Sequence, residues 1–264
     1  MEYRVLGRTG LRVSQVGFGC GDVGGLMVRG EAADRVRAVA TAQSMGINYF
    51  DTAPRYGNGV SETNLGLALK EVPKDTQTEI YVGTKASLDP GDKRDVKAGV
   101  IASVERSLKR LGRNSVDLIQ LHNRVAPSPD SSNSDLSPEN VLGPVVEAFQ
   151  ELQSQGKIRF YGMTGLGDTG ALHQVIDAGA MDTVQVCYNL LNPTAGDFAF
   201  AGSYAQDYRN LIGRARDQGA GIIAIRVVAA GALTGVDARH PVAIPTVAPI
   251  GTGRDYQEDL RRAA

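Results

Sequence analysis

The stretch Asn48–Gly59 reads NYFDTAPRYGNG: an apolar run ends in Asp51, and five residues on, past a proline-interrupted turn, stands Tyr56. Two further apolar runs also end in titratable residues, EIYVGTK in Lys85 and VDLIQLH in His122. A phenol has an ordinary pKa near about 10 and is a poor acid at neutral pH. It becomes a useful proton donor only beside a group that stabilises its anion. An ammonium at Lys85 would do that, and a carboxylate at Asp51 would hold the ammonium charged and oriented. His122 could donate a hydrogen bond to a carbonyl oxygen and polarise it. Together these groups suit the protonation of an oxygen that is gaining negative charge. They form no nucleophile–base pair, and the three histidines (His122, His173 and His240) are too scattered for a zinc cluster.

Taken singly, each of these residues has an ordinary structural explanation: a turn former, loop packing, a solvated lysine, a satisfied core histidine. Their joint action requires elements that bring successive strand ends to one mouth. Seven short apolar runs punctuate the chain: QVGFGC, INYFDT, EIYVGTK, VDLIQLH, IRFYGMT, TVQVCYN and GIIAIRV. Several are β-branched and nearly continuous, as strands buried on both faces of a parallel sheet are. Between them lie amphipathic stretches such as EAADRVRAVATAQSMG, with Val36, Val39, Ala40 and Met45 on one face and Gly46 as a stop. A second, DVKAGVIASVERSLKRLG, aligns Val96, Val100, Val104, Leu108 and Leu111 and ends at Gly112. The basic run Lys109, Arg110 and Arg113 at that helix end complements the helix dipole. Alternating strands and helices imply right-handed βαβ units. The early YRVLGRTGLRVSQ reads instead as a small hairpin before the first barrel strand.

Seven units predict an α/β fold of the (β/α)8 barrel type, with a doubly wound open sheet as competitor. The glycine-rich GFGCGDVGG matches the dinucleotide-binding G-x-G-x-x-G spacing poorly, and no acidic residue closes the next strand in the ribose-binding role. The barrel is preferred. In such a barrel the chemistry lies at the C-terminal ends of the strands, where Asp51, Lys85 and His122 fall. Asn123–Val141, rich in Ser, Pro and Asp, and Asn189–Tyr208 read as long loops on that rim.

The composition, 42% hydrophobic and 22% charged, suits a globular domain. A formal net charge of -1 provides no field for nucleic acid or an anionic membrane surface. The two cysteines, Cys20 and Cys187, fit a reducing, cytoplasmic setting, and no apolar run reaches the roughly 18 residues of a membrane span.

The motifs GINYFDTAPRYGNGVSETNLG, VGTK, DLIQLH and GALTG, in this order, resemble those of the aldo-keto reductases, and the resemblance covers nearly the whole chain. It implies a TIM barrel with an N-terminal β-hairpin and a carbonyl reductase using NADP, with NAD possible. The substrate would be a small carbonyl compound or sugar, in look closest to that of bacterial aldose dehydrogenases. The resemblance makes Tyr56 the general acid, Lys85 and Asp51 its tuning pair, and His122 the group that orients the carbonyl. It assigns the cofactor to Gly19, Cys20, Asp51, Thr164, Gln185, Arg226, Val228, Gly231 and Leu233. Cys20 has a buried structural thiol as its other reading. The family's Ser-Asn pair after the fifth strand reads Thr164-Gly165 here, keeping a hydroxyl and losing an amide. Ile225 or Arg226 stands where many relatives place a stacking aromatic. Relatives continue past a segment like GTGRDYQEDLRRAA into an eighth strand and helix. The expectation is therefore a single domain, 1–264, truncated before its eighth βα unit, with a gap between the first strand and GIIAIRV. Such a chain would bind cofactor weakly or need another chain to close it. The alternative function is a non-catalytic, cofactor-binding regulator on the same scaffold; the retention of all four catalytic positions speaks against it.

Overall fold

The computed structural model describes residues 1–72, 79–130, 132–196 and 205–264. The expected hairpin forms from β1 (Tyr3–Val5) and β2 (Arg12–Ser14), antiparallel, with Gly10 in the left-handed region at the turn. Seven parallel strands follow: β3 (Phe18–Gly19), β4 (Tyr49–Asp51), β5 (Tyr81–Ala86), β6 (Val116–Leu121), β7 (Ile158–Thr164), β8 (Thr183–Cys187) and β9 (Gly221–Ile225). They pair in chain order. Helices α1 (Leu26–Arg29), α2 (Ala32–Ser44), α3 (Val60–Glu71), α4 (Val96–Leu111), α5 (Pro138–Asn140), α6 (Val146–Ser154), α7 (Thr169–Asp177) and α8 (Leu211–Asp217) alternate with them, and α9 (Tyr256–Ala263) ends the chain.

The sheet is strongly curled. In a flat sheet β4 and β8, four positions apart, would stand about 19 Å from each other. Yet Gln185 Nε2 on β8 donates to Asp51 Oδ1 on β4 at 2.7 Å. The period-2 alternation sends one set of side chains outward to the helices and the other into the barrel. Inside, at the N-terminal end, Tyr49, Tyr81, Leu118, Phe160 and Ile223 pack on Leu6, Leu11 and Val13 of the hairpin, which plugs that end. Gly83 belongs to this interior for steric reasons, because a Cβ there would stand 2.4 Å from the Tyr49 hydroxyl. The continuous burial of β5, β6 and β8 agrees with the unbroken apolar runs in the sequence.

The expected gap is present: among the described residues no strand pairs with β3 or β9 on their outer edges. At the bottom, the hairpin is tied to the loops before β8 and β9: Arg8 N donates to Gly219 O, and the Arg8 guanidinium reaches Gly179 O, Met181 O and Gln218 O. At the top, Arg239 donates to the carbonyls of Ile244 (2.7 Å), Ala230 (3.1 Å) and Val23 (3.3 Å), tying the loop after β9 to the loop after β3. Two sequence expectations need correction. Met45 does not join the buried face of α2; it is 63% exposed, past the helix end, where the chain turns away at Gly46 (φ +83°). Arg110 does more than complement a dipole, because its Nε donates to the fully buried Glu62 of α3 at 2.5 Å. The rim segment Asn123–Val141 is pinned by bridges from Val125 to Leu136 and Gly167. Part of the second rim loop, 197–204, lies outside the described residues. No described helix is long and apolar enough to cross a membrane.

Candidate active site

Asp51 ends β4 and Lys85 stands one residue before the end of β5, so both project into the C-terminal mouth of the barrel. The Lys85 side chain is 1% exposed, and its Nζ donates to Asp51 Oδ2 at 2.6 Å and to Thr52 O at 2.9 Å. Burial opposes the ammonium, but Asp51 and Tyr56 outweigh it and hold Lys85 above its ordinary value. The other oxygen of Asp51 accepts from Gln185 Nε2 at 2.7 Å and from the Tyr49 hydroxyl at 3.4 Å. Both carboxylate oxygens are thus fixed.

Tyr56 reaches this pair from a turn. Its N–H donates to Ala53 O, and Gly57 and Gly59 beyond it take positive φ. Gly59 (φ +89°) caps α3 where a Cβ would stand 2.5 Å from Arg110 Cδ, so the turn seats on that arginine. Lys85 Nζ lies 5.1 Å from the centroid of the Tyr56 ring. Lys85 favours the phenolate, as expected, but burial acts against it more strongly. Burial raises the Tyr56 phenol above its ordinary value, and the lowering by Lys85 is the smaller effect. The phenol is therefore held protonated at neutral pH, while Lys85 remains beside it to stabilise the anion once the proton leaves.

His122 follows β6 directly, half-buried, with its ring edge-on to Tyr56 at 6.0 Å and 87°. Desolvation, then the nearby Lys85 and Arg55 cations, lower its pKa to about 3, so the imidazole is neutral at physiological pH. Ser87 Oγ lies 3.5 Å from its Nδ1.

The residues assigned to a cofactor fall into three groups. Thr164 (2% exposed) ends β7 and its hydroxyl faces Gln185 Oε1 at 3.4 Å. Gly19 is exposed on the edge strand β3, with open space where a side chain would stand, whereas the Cys20 side chain beside it is buried. Desolvation and then Asp51 push the Cys20 thiol up, so it stays protonated. After β9 come Arg226 (φ +56°), Ala229 (φ +48°), Ala230 (φ +59°) and Gly231 (φ +111°), a cluster of left-handed residues. Such strain collects at ligand clamps. Val228 is 50% exposed there, while Leu233 packs against the small cluster of Leu191, Ala229 and Ala232. A dinucleotide would fit this donor set: a hydroxyl at the end of β7, an amide in the middle of β8, an open glycine, and a backbone-rich strap. Strand-end reading missed Thr52 and Ser61, both fully buried, and Tyr49, which reaches Asp51 from inside the barrel. Their signal was faint: all three lie within the motif GINYFDTAPRYGNGVSETNLG, where Thr52 and Ser61 look like ordinary turn residues and Tyr49 like a strand residue.

The aldo/keto reductase family model matches residues 15–247. The chain is 32% identical over 236 residues to an L-galactose dehydrogenase of Arabidopsis thaliana, covering 89% of this chain and 67% of that one. It is 31% identical over 213 residues to a D-threo-aldose 1-dehydrogenase of a Pseudomonas species, covering 70% of this chain and 60% of the relative. The chain thus spans about two thirds of the length of these curated relatives, or less. A holo-form aldo-keto reductase of Bacillus halodurans has the same fold, with a TM-score of 0.68 at 24% identity, over 98% of this chain and 75% of that one.

Proposed function

The chain belongs to the aldo/keto reductase family, and from that premise we propose that it is an NADPH- or NADH-dependent oxidoreductase acting on the carbonyl of an aldehyde, ketone or sugar, with Tyr56 as general acid. The observation that carries the reading is the buried Asp51–Lys85 ion pair set against the Tyr56 ring, with a neutral His122 edge-on to the same ring. When bound, the reduced nicotinamide supplies a hydride, and the barrel supplies position and protons. Thr164, Gln185, Gly19 and the strap Arg226–Gly231 would hold it.

His122, neutral, donates a hydrogen bond from Nε2 to the carbonyl oxygen, the tautomer in which Nδ1 would accept from Ser87 Oγ, 3.5 Å away. Tyr56 gives its proton to that oxygen as negative charge develops there. Lys85 stabilises the phenolate left behind, and Asp51 prevents the ammonium from reorienting. In reduction one hydride enters at carbon and one proton at oxygen, and solvent restores the phenol. In oxidation the phenolate must form first, so the alcohol-oxidising direction gains with rising pH.

Oxidation of NADPH with a panel of simple aldehydes and sugars, for the wild type and Tyr56→Phe, tests this reading. A general acid contributes about 10²–10⁴-fold. Saturable turnover should fall by that factor in Tyr56→Phe while cofactor affinity holds. Undiminished turnover in Tyr56→Phe would contradict the assignment.

A further inference from the structure

Ser61 stands in the first turn of α3, and its side chain is fully buried. Its N–H donates to Tyr56 O at 3.3 Å, closing the turn that carries the phenol. Its hydroxyl lies 2.9 Å from Cys20 O and 2.9 Å from Thr52 Oγ1. A hydroxyl has one proton to give, and a carbonyl can only accept. Ser61 therefore donates to Cys20, and the Thr52 hydroxyl donates to Ser61. Thr52 is itself fully buried, with its carbonyl accepting from Lys85 Nζ at 2.9 Å and its N–H donating to Gly83 O at 2.9 Å. Cys20 closes the circuit by donating its N–H to Asp51 O at 2.8 Å. One serine thus ties the turn that carries Tyr56 to the residue that accepts from Lys85, and ties both to β3. Its placement has a particular consequence in this chain, because β3 has a neighbouring strand on one side only among the described residues.

Resting on the reading of Tyr56 as the acid, we propose that Ser61 is a positioning residue: through Thr52 and Cys20 it fixes the separation of the Tyr56 phenol from the Lys85 ammonium. The interaction falls as the inverse of distance, so an added ~1 Å on the 5.1 Å from Lys85 Nζ to the Tyr56 ring centroid weakens it by roughly a sixth. Loosening the turn also admits other rotamers of Tyr56, which weakens it further.

The test compares Ser61→Ala, Thr52→Val and their double variant, with Thr52→Ser as the control that keeps the hydroxyl. The Tyr56 pKa is read by ¹³C NMR of ring-labelled tyrosine in the cofactor-free protein, its signal assigned with Tyr56→Phe. Each single variant should raise that pKa by about half a unit to one unit. The double variant should add little to Ser61→Ala, since the contact that Thr52→Val removes is already lost there. Thr52→Ser should leave it unmoved. A fall in Tm with an unshifted Tyr56 pKa would make Ser61 merely structural and overturn the proposal, as would additive shifts or a Thr52→Ser variant that behaves like Thr52→Val. If Ser61→Ala does not fold, Thr52→Val and Thr52→Ser decide the matter between them. Absence of turnover in the wild type would sink the proposed activity and leave this titration still decisive.

Discussion

Replacing His122 with asparagine removes a group that binds a proton very differently in the folded and unfolded chain. In the fold its pKa is about 3, through desolvation first and then Lys85 and Arg55; an unfolded histidine titrates near about 6.5. Its contribution is a folded pKa lowered below the unfolded one. Above about pH 6.5 neither state holds the proton, and stability is unaffected. As the pH falls below that value, the unfolded chain takes up a proton that the folded site refuses, and stability drops. At about pH 5 the ratio of binding terms is near 32, equivalent to a loss of about 2 kcal/mol relative to pH 7.5. For a chain of this size that is a fall in Tm of roughly 4–8 °C. Urea unfolding of wild type and His122→Asn at both pH values isolates this contribution, because the remaining titrating groups cancel in the difference. The wild type should lose about 2 kcal/mol more than the variant between the two conditions. Equal pH dependence in the two proteins would show that His122 is not a desolvated neutral imidazole, and would remove the basis for its donor role.

Two other changes have defined outcomes. Arg110→Met leaves the fully buried Glu62 carboxylate with only the Thr84 hydroxyl as its hydrogen-bond donor among the described residues. Denaturant unfolding should show a loss of about 3–5 kcal/mol, most of it recovered in the double variant Arg110→Met, Glu62→Gln. Arg239→Ala removes the donor to the carbonyls of Val23, Ala230 and Ile244. Native-state chymotryptic or thermolytic cleavage within 236–250 should then rise by about tenfold or more, against a smaller change in global Tm.

The candidate site was legible wherever its residues obey a local rule. Asp51, Lys85 and His122 fall at strand ends, and a parallel barrel sends strand ends to one mouth. Helix α4 and its left-handed stop at Gly112 follow equally from spacing. What spacing could not supply is distance across the fold. The bond from Gln185 to Asp51 spans 134 residues and exists only because the sheet curls. The partner of Arg110 is 48 residues away, so a dipole role was all that its own helix could indicate. The bridging by Arg239 depends on where the segment after β9 comes to rest, and nothing local specifies that. The balance at Tyr56 has the same origin. Its charge partners are countable in the sequence, but the depth of burial that outweighs Lys85 is a property of the assembled mouth. Met45 erred differently, because apolar periodicity gives a direction around a helix and says nothing of how far along its axis the core extends.

In the proposed reduction the carbonyl carbon receives hydride from the bound cofactor, and the oxygen takes its proton from a solvent-exchanging phenol. Mass spectrometry of the alcohol product tests it, with reduction run once using cofactor deuterated at the nicotinamide C4 and once using ordinary cofactor in D₂O. The product should carry one deuterium at the carbinol carbon in the first case, and in the second none at carbon, with solvent label only at the exchangeable oxygen. Deuterium at carbon from D₂O, or its absence there from the deuterated cofactor, would contradict it.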